Sequence, residues 1–122
     1  MAKKILIVED EEILAQMYKE KFEQEGLEVD LAFSCQEAID YLKNNKPDLI
    51  LLDILLPQEN GISFLQKIRK DGTAEKVPIV AFSNYDEPAT KKEAFAWGVK
   101  AYLIKTQYTP SQLLKEIKKF LK

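Results

Sequence analysis

Four apolar runs in this chain end in side chains that could handle a phosphoryl group or a metal ion. Glu9-Asp10-Glu11 follow Ile5 to Val8, Asp53 follows Leu49 to Leu52, Ser83-Asn84 follow Ile79 to Phe82, and Lys105-Thr106 follow Tyr102 to Ile104. Three carboxylates brought within a few ångströms would repel one another and raise their own pKa values unless a cation sat among them. Oxygen ligands alone suit a hard ion such as Mg²⁺, typically held through one or two carboxylates with several waters retained. The chain contains no histidine. That excludes Ser-His-Asp and Cys-His mechanisms, a His-ligated zinc site and a phosphohistidine of its own. Acid–base or metal chemistry is left to carboxylates, Lys, Tyr and the lone Cys35.

Taken singly, each of these residues has a plainer structural reading. Glu9-Asp10-Glu11 could be an acidic helix start favoured by the macrodipole, and Asp53 or Ser83 could open a turn. Lys105 could be a solvated loop lysine, Tyr102 an edge-strand packing residue, and Phe95 and Trp97 helix-to-sheet packing. Cys35 reads as a small buried thiol rather than a reactive one. The chemical reading depends on the four stretches meeting.

The elements that would make them meet follow from periodicity. Lys4 to Val8 is a short β-branched apolar run, and Ile13, Leu14, Met17, Tyr18 and Phe22 then recur at helical spacing up to Gly26. Leu27 to Phe33 reads as a strand and Gln36 to Asn45 as a helix, closed by Pro47. Asp48 to Asp53 is a strand and Ile62 to Lys70 a helix, followed by a strand over Val77 to Phe82. A helix over Glu87 to Trp97 ends at Gly98, Lys100 to Ile104 is the fifth strand, and Pro110 to Leu121 is the last helix, with Leu113, Leu114, Ile117 and Phe120 on one face. Strict alternation implies parallel strands joined by right-handed crossovers. Strands apolar at successive positions imply a sheet covered on both faces. Ligands of such an open α/β sheet gather beyond the carboxyl ends of its strands, which is where the four stretches lie.

Composition sets the outer bounds. With 122 residues, 46% of them hydrophobic, the chain reads as one domain over residues 1–122 that can bury a core without disulfides. A net charge of -2 leaves no electrostatic footprint for nucleic acid or an anionic membrane, so neither is expected as a direct partner. The longest apolar stretch, Leu49 to Leu56, is interrupted by Asp53 and too short to span a bilayer. Met1-Ala2-Lys3-Lys4 does not open a secretory leader, and a cytoplasmic location is expected.

The pattern resembles the response-regulator receiver family across essentially the whole chain. The resemblance rests on Ile5-Leu6-Ile7-Val8-Glu9-Asp10-Glu11, Leu49-Ile50-Leu51-Leu52-Asp53, Leu56-Pro57-Gln58-Glu59-Asn60-Gly61, Ala81-Phe82-Ser83-Asn84 and Tyr102-Leu103-Ile104-Lys105. It implies a flavodoxin-like (βα)5 three-layer sandwich with a five-stranded parallel sheet in order 2-1-3-4-5. It also implies a switch in two-component signalling or a phosphorelay, which catalyses its own phosphorylation and dephosphorylation. Asp53 would be the nucleophile and phosphorylation site. Asp10, Asp53, Glu9 and the backbone carbonyl of Leu55 would hold Mg²⁺, for which Mn²⁺ could substitute. Lys105 and Ser83 would meet phosphoryl oxygens, Ser83 and Tyr102 would form the switch, and Leu55 and Tyr85 would tune the lifetime of the phosphorylated state. Leu55 and Tyr85 are large and neither orients a water, so slow hydrolysis is expected.

The same resemblance implies a histidine kinase or histidine phosphotransfer protein as donor and a downstream effector protein as output, since the chain stops at Lys122, directly after the fifth helix. An effector would dock on Glu87 to Trp97, the fifth strand and Pro110 to Leu121, where Lys115, Lys118 and Lys119 form a basic edge. A phosphotransfer protein would dock near the first helix. The expected state is a monomer, with phosphorylation-dependent dimerisation as the alternative. Two departures stand out. Glu9 replaces the family's commoner Asp, and its longer arm favours a water-mediated contact. Thr106 replaces the usual Pro, where a cis bond would cost ~3 kcal/mol. The competing function is a phosphorylation-independent protein-interaction module. A small-molecule flavodoxin or dinucleotide enzyme would need a glycine-rich loop that is missing.

Overall fold

The computed structural model describes residues 2–56, 59–74 and 76–121. Pro57 and Gln58 of the loop pattern, and the chain ends Met1 and Lys122, lie outside the described residues. Five strands alternate with five helices: β1 (Lys4–Val8), α1 (Glu12–Gln24), β2 (Glu28–Ala32), α2 (Cys35–Asn44), β3 (Leu49–Leu52), α3 (Gly61–Lys70), β4 (Ile79–Ser83), α4 (Pro88–Ala96), β5 (Ala101–Ile104) and α5 (Pro110–Lys118). All strand pairs are parallel, and the order is β2-β1-β3-β4-β5, as expected from the alternation and the family resemblance.

Successive residues of a strand point to opposite faces, and the core divides accordingly. Leu6, Val8, Ile50, Leu52, Ile79 and Ala81 pack with Ala38, Leu42, Phe64, Leu65, Ile68 and Ala94 from α2, α3 and α4. Ile5, Ile7, Leu49, Leu51, Val80 and Phe82 pack with Tyr18, Phe22, Leu113, Leu114 and Ile117 from α1 and α5. This two-sided cover explains why β3 is apolar at every position and why β1 and β4 are apolar at all but Lys4 and Ser83.

Helix boundaries follow local chemistry. Ser34 and Asn60 cap α2 and α3 through side-chain oxygens that accept from Glu37 N and Ser63 N. Thr109 and Gln112 form a reciprocal capping box in front of Pro110, satisfying otherwise orphaned amides. The helical stripe read on α1 is corrected in part. Tyr18 and Phe22 are buried, but Ile13 is 89% and Met17 42% exposed, and the small Ala15 takes the inward position instead. Phe95, read as sheet packing, is half-exposed, whereas Trp97 does pack against the core.

Candidate functional site

The register of the sheet lines up its carboxyl ends. Val8 lies opposite Leu52 and Leu52 opposite Ala81, so the next residues, Glu9 and Asp53, leave the sheet side by side. Their backbones stay anchored: Asp53 N donates to Val8 O at 3.0 Å and Glu9 N to Ala32 O at 2.9 Å. Ser83 ends β4 opposite Ile104 of β5, and Lys105 follows at once. One open cleft of about 250 Å³ is lined by Asp10, Glu11, Asp53, Leu55, Ser83, Asn84 and Lys105. The predicted site residues Asp10, Asp53, Ser83 and Lys105 are thus brought together.

Within this cleft, one carboxylate oxygen from each of Glu9, Asp10 and Asp53 can be chosen so that all lie within 4.8 Å of one another. Glu9 and Asp53 are buried, and Asp10 is the most accessible of the three. Lys105 Nζ donates to Asp53 Oδ2 at 3.0 Å and is ion-paired with Glu9 Oε1. The longer arm of Glu9 folds inward, 3% exposed, onto Lys105, and its other oxygen accepts from Glu11 N at 3.2 Å. Burial, reinforced by the neighbouring Asp53 charge, pushes the Glu9 carboxyl up to about 7, against the lowering pull of Lys105. Burial disfavours the Lys105 ammonium, but the two carboxylates outweigh it and hold its pKa above the ordinary lysine value.

Ser83 is buried, its Oγ accepts from Tyr85 N at 3.1 Å, and its hydroxyl also faces the Tyr102 phenol. The Tyr102 hydroxyl donates to the backbone carbonyl of Tyr85 at 2.5 Å, and the Tyr85 hydroxyl to Glu87 Oε2 at 2.6 Å. Burial pushes the Tyr102 phenol up to about 12. Leu55 N donates to Asp53 Oδ1 at 3.1 Å, and the Leu55 side chain is half-exposed at the mouth of the cleft. Tyr85 lines a neighbouring hollow shared with Leu55 and Thr90.

One support escaped sequence reasoning. Asn84 Oδ1 accepts from Thr106 N at 3.1 Å, tying the loops after β4 and β5. The described peptide bonds are all trans, Lys105-Thr106 included, and a single 3-10 turn over Lys105–Gln107 follows it. Gly61 is held by geometry: a Cβ there would stand 2.8 Å from Ile54 Cα and 3.0 Å from Asp53 O, while Gly61 N donates to Ile54 O at 2.6 Å. The loop leaving Asp53 therefore closes against a residue without a side chain. Cys35 is buried with its thiol pushed by burial up to about 12, in keeping with an inert packing role.

An open, doubly wound parallel sheet whose carboxyl edge gathers acidic side chains, a hydroxyl and an ammonium defines the CheY-like class of α/β proteins. The chain belongs to the response regulator receiver domain family, whose profile matches residues 5–118. It is 34% identical over its full length to the phosphate regulon transcriptional regulatory protein PhoB of Rhizobium meliloti, and spans 53% of that protein. It is 29% identical to the polar-differentiation response regulator DivK of Brucella ovis, matching 99% of this chain and 98% of DivK. The solved chemotaxis response regulator CheY4 of Vibrio cholerae superimposes with a TM-score of 0.90 at 27% identity, covering 99% of this chain and all of that one. So the chain spans about half the length of the PhoB relative and nearly all of the DivK relative.

Proposed function

We propose that the chain is a phosphorylation-activated switch, taking a phosphoryl group onto Asp53 from the phosphohistidine of a histidine kinase or phosphotransfer protein, or from a small donor such as acetyl phosphate. The observation that carries this reading is the meeting of Asp53 with Asp10, Ser83 and Lys105 in one cleft, from four strand ends. Oxygens around an octahedral Mg²⁺ with bonds of about 2.1 Å stand about 3 to 4 Å apart. The Glu9, Asp10 and Asp53 oxygens, within 4.8 Å of one another, fit such an ion after small rotations. Asp10, Asp53 and Glu9, with the Leu55 carbonyl, would hold Mg²⁺ or Mn²⁺. When bound, the ion would neutralise charge on the phosphoryl oxygens.

The chain's own groups supply the rest. An ionised Asp53 oxygen attacks phosphorus and forms the acyl phosphate bond, while the P–N bond breaks and its electron pair, with a proton, stays on the donor imidazole. The Lys105 ammonium, already within hydrogen-bond distance of Asp53, offers a compact positive charge to a phosphoryl oxygen. The Ser83 hydroxyl donates to another and draws the loop after β4 inward. Tyr102, tied to that loop through the Tyr85 carbonyl, changes the surface of β5 and α4 in response. An effector protein reads that surface, in a cytoplasmic protein that acts as a monomer or dimerises on phosphorylation.

Incubation with acetyl phosphate and Mg²⁺ followed by intact mass tests the reading. One phosphate should add to wild type and none to Asp53→Asn. An unmodified wild type would overturn it in favour of a phosphorylation-independent interaction module. Pull-down of a partner by the phosphorylated form, absent with Asp53→Asn, would establish the output.

A further inference from the structure

The opposite edge of the sheet carries a second feature that the phosphoryl chemistry does not use. Where β1, β3, β4 and β5 begin, an open groove of about 590 Å³ is floored by Pro47, Val77, Pro78 and Phe120. Lys3, Lys46, Lys76, Lys100 and Lys119 surround it, and among the described residues Asp48 is the one acid that lines it. In a chain of net charge -2, this is a local excess of positive charge. Lys119 is paired with Glu116 at 2.8 Å. Among the described residues, Lys3, Lys46, Lys76 and Lys100 have no ion-pair partner. The one acid is partly spoken for, since its carboxylate accepts from Lys4 N at 2.8 Å.

Lysines at this edge could serve merely to complement helix C-termini, whose carbonyls carry partial negative charge. For α2, α3 and α5 that task is already filled, since their last turns hold Lys43, the Lys67, Arg69 and Lys70 group, and Lys115 and Lys118; only α4, which Lys100 follows, has no basic residue in its last turn among these four. Lys3, Lys46, Lys76 and Lys100 are additional to these and come from segments that lead into strands, whereas Lys119 is the C-cap of α5.

We propose that this groove docks an acidic polypeptide segment of a partner protein, anchored by an aliphatic side chain on the Pro47–Val77–Pro78–Phe120 floor and by carboxylates at the lysine rim. Three observations favour this occupant. The floor is apolar while the rim is basic, which matches a chain of alternating acidic and aliphatic residues. The helices α2 and α5 end here rather than begin, so a compact phosphate seated on the floor would face carbonyl dipoles instead of amides. Carboxylates spaced along a peptide meet the ammonium groups farther out. A single aromatic ring, Phe120, is too little to stack successive bases of a nucleic acid.

The test is an amide ¹H–¹⁵N titration of the whole chain with a short synthetic peptide of alternating aspartate and leucine, with polyuridylate run in parallel. Peptide should move the amides of Lys46, Lys76, Lys100 and Phe120 while those of Asp53, Ser83 and Lys105 stay in place. The double variant Lys46→Glu/Lys100→Glu, whose spectrum should keep wild-type dispersion because both side chains are exposed, should weaken binding by about tenfold or more. Replacing leucine by serine in the peptide should weaken it as well. The proposal is overturned if the peptide leaves the groove amides unmoved, or binds the double variant as tightly as wild type. Tighter polyuridylate binding at the groove would overturn it in favour of a nucleic acid. Sedimentation that shows the unliganded chain self-associating through these lysines would overturn it in favour of a second copy.

Discussion

Glu9 gives the sharpest quantitative expectation, because its environment sets both the sign and the size of a pH effect. Its carboxyl lies at about 7 in the folded chain against 4.5 for the free group, chiefly through burial. Between those values the folded state holds a proton on Glu9 that the unfolded state has lost. Stability from this group is therefore fully present below the unfolded value and is lost as pH rises through the folded one. A shift of this size corresponds to at most ~3 kcal/mol at ~1.4 kcal/mol for each pKa unit. In a domain of this length that is roughly 10 °C in Tm. Thermal unfolding of wild type and Glu9→Gln, with chelator present, between about pH 5 and about pH 8 isolates the term from all other carboxylates, because glutamine keeps the acceptor oxygen and has no proton to lose. The Tm of wild type should fall relative to the variant across that interval, and the difference should level off above it. Parallel pH profiles for the two proteins would refute the assigned burial and pairing of Glu9.

Gly61→Ala should cost about 1–3 kcal/mol in urea unfolding, since the added methyl meets backbone atoms of Asp53 and Ile54 that cannot rotate away; a neutral change would mean the loop yields freely. Leu55→Asn or Tyr85→Glu should speed loss of phosphate from the purified phosphoprotein, followed by intact mass, because each puts a group able to orient water in the cleft of the proposed acceptor or in the hollow next to it. Arg69→Met should destabilise by roughly 2–4 kcal/mol, because the guanidinium donates to Trp97 O at 3.0 Å and Ala74 O at 2.7 Å, joining the end of α3 to the end of α4; a change within experimental error would show water replacing both bonds.

The strands and the site were legible in the sequence for the same reason. Parallel strands buried on both faces must be apolar throughout, so the first polar residue after each run marks both the strand end and the ligand-facing edge. Asp53, Ser83 and Lys105 were visible in this way. What was not visible depends on phase and on distance across the sheet. On α1, apolar residues occupy more than one face, and spacing alone cannot tell that Ala15 rather than Ile13 turns inward. Nor can it reveal that Lys105, following β5, reaches across β4 and β3 to Glu9 at the end of β1. That contact spans 96 residues of chain, and no local pattern encodes it. Capping was half legible: Pro110 announced the start of α5, while the Thr109–Gln112 reciprocity that holds it needed coordinates.

Tyr85 joins these observations into one mechanical route. Its amide donates to Ser83 Oγ, its carbonyl accepts from the Tyr102 hydroxyl, and its own hydroxyl donates to Glu87, the residue that leads into α4. A serine that swings toward a phosphoryl group must release or carry the Tyr85 amide, since Oγ cannot keep its present acceptor geometry while moving away. Displacing Tyr85 then disturbs the Tyr102 bond on β5 and the approach to α4 together, because both depend on the same residue. Of the two tyrosines, Tyr102 bears on the core while Tyr85 touches all three partners. In the proposed switch, Tyr85 is therefore one residue through which a change at Ser83 reaches the surface, beside the direct Ser83–Tyr102 contact, and its side chain lines the hollow next to the cleft.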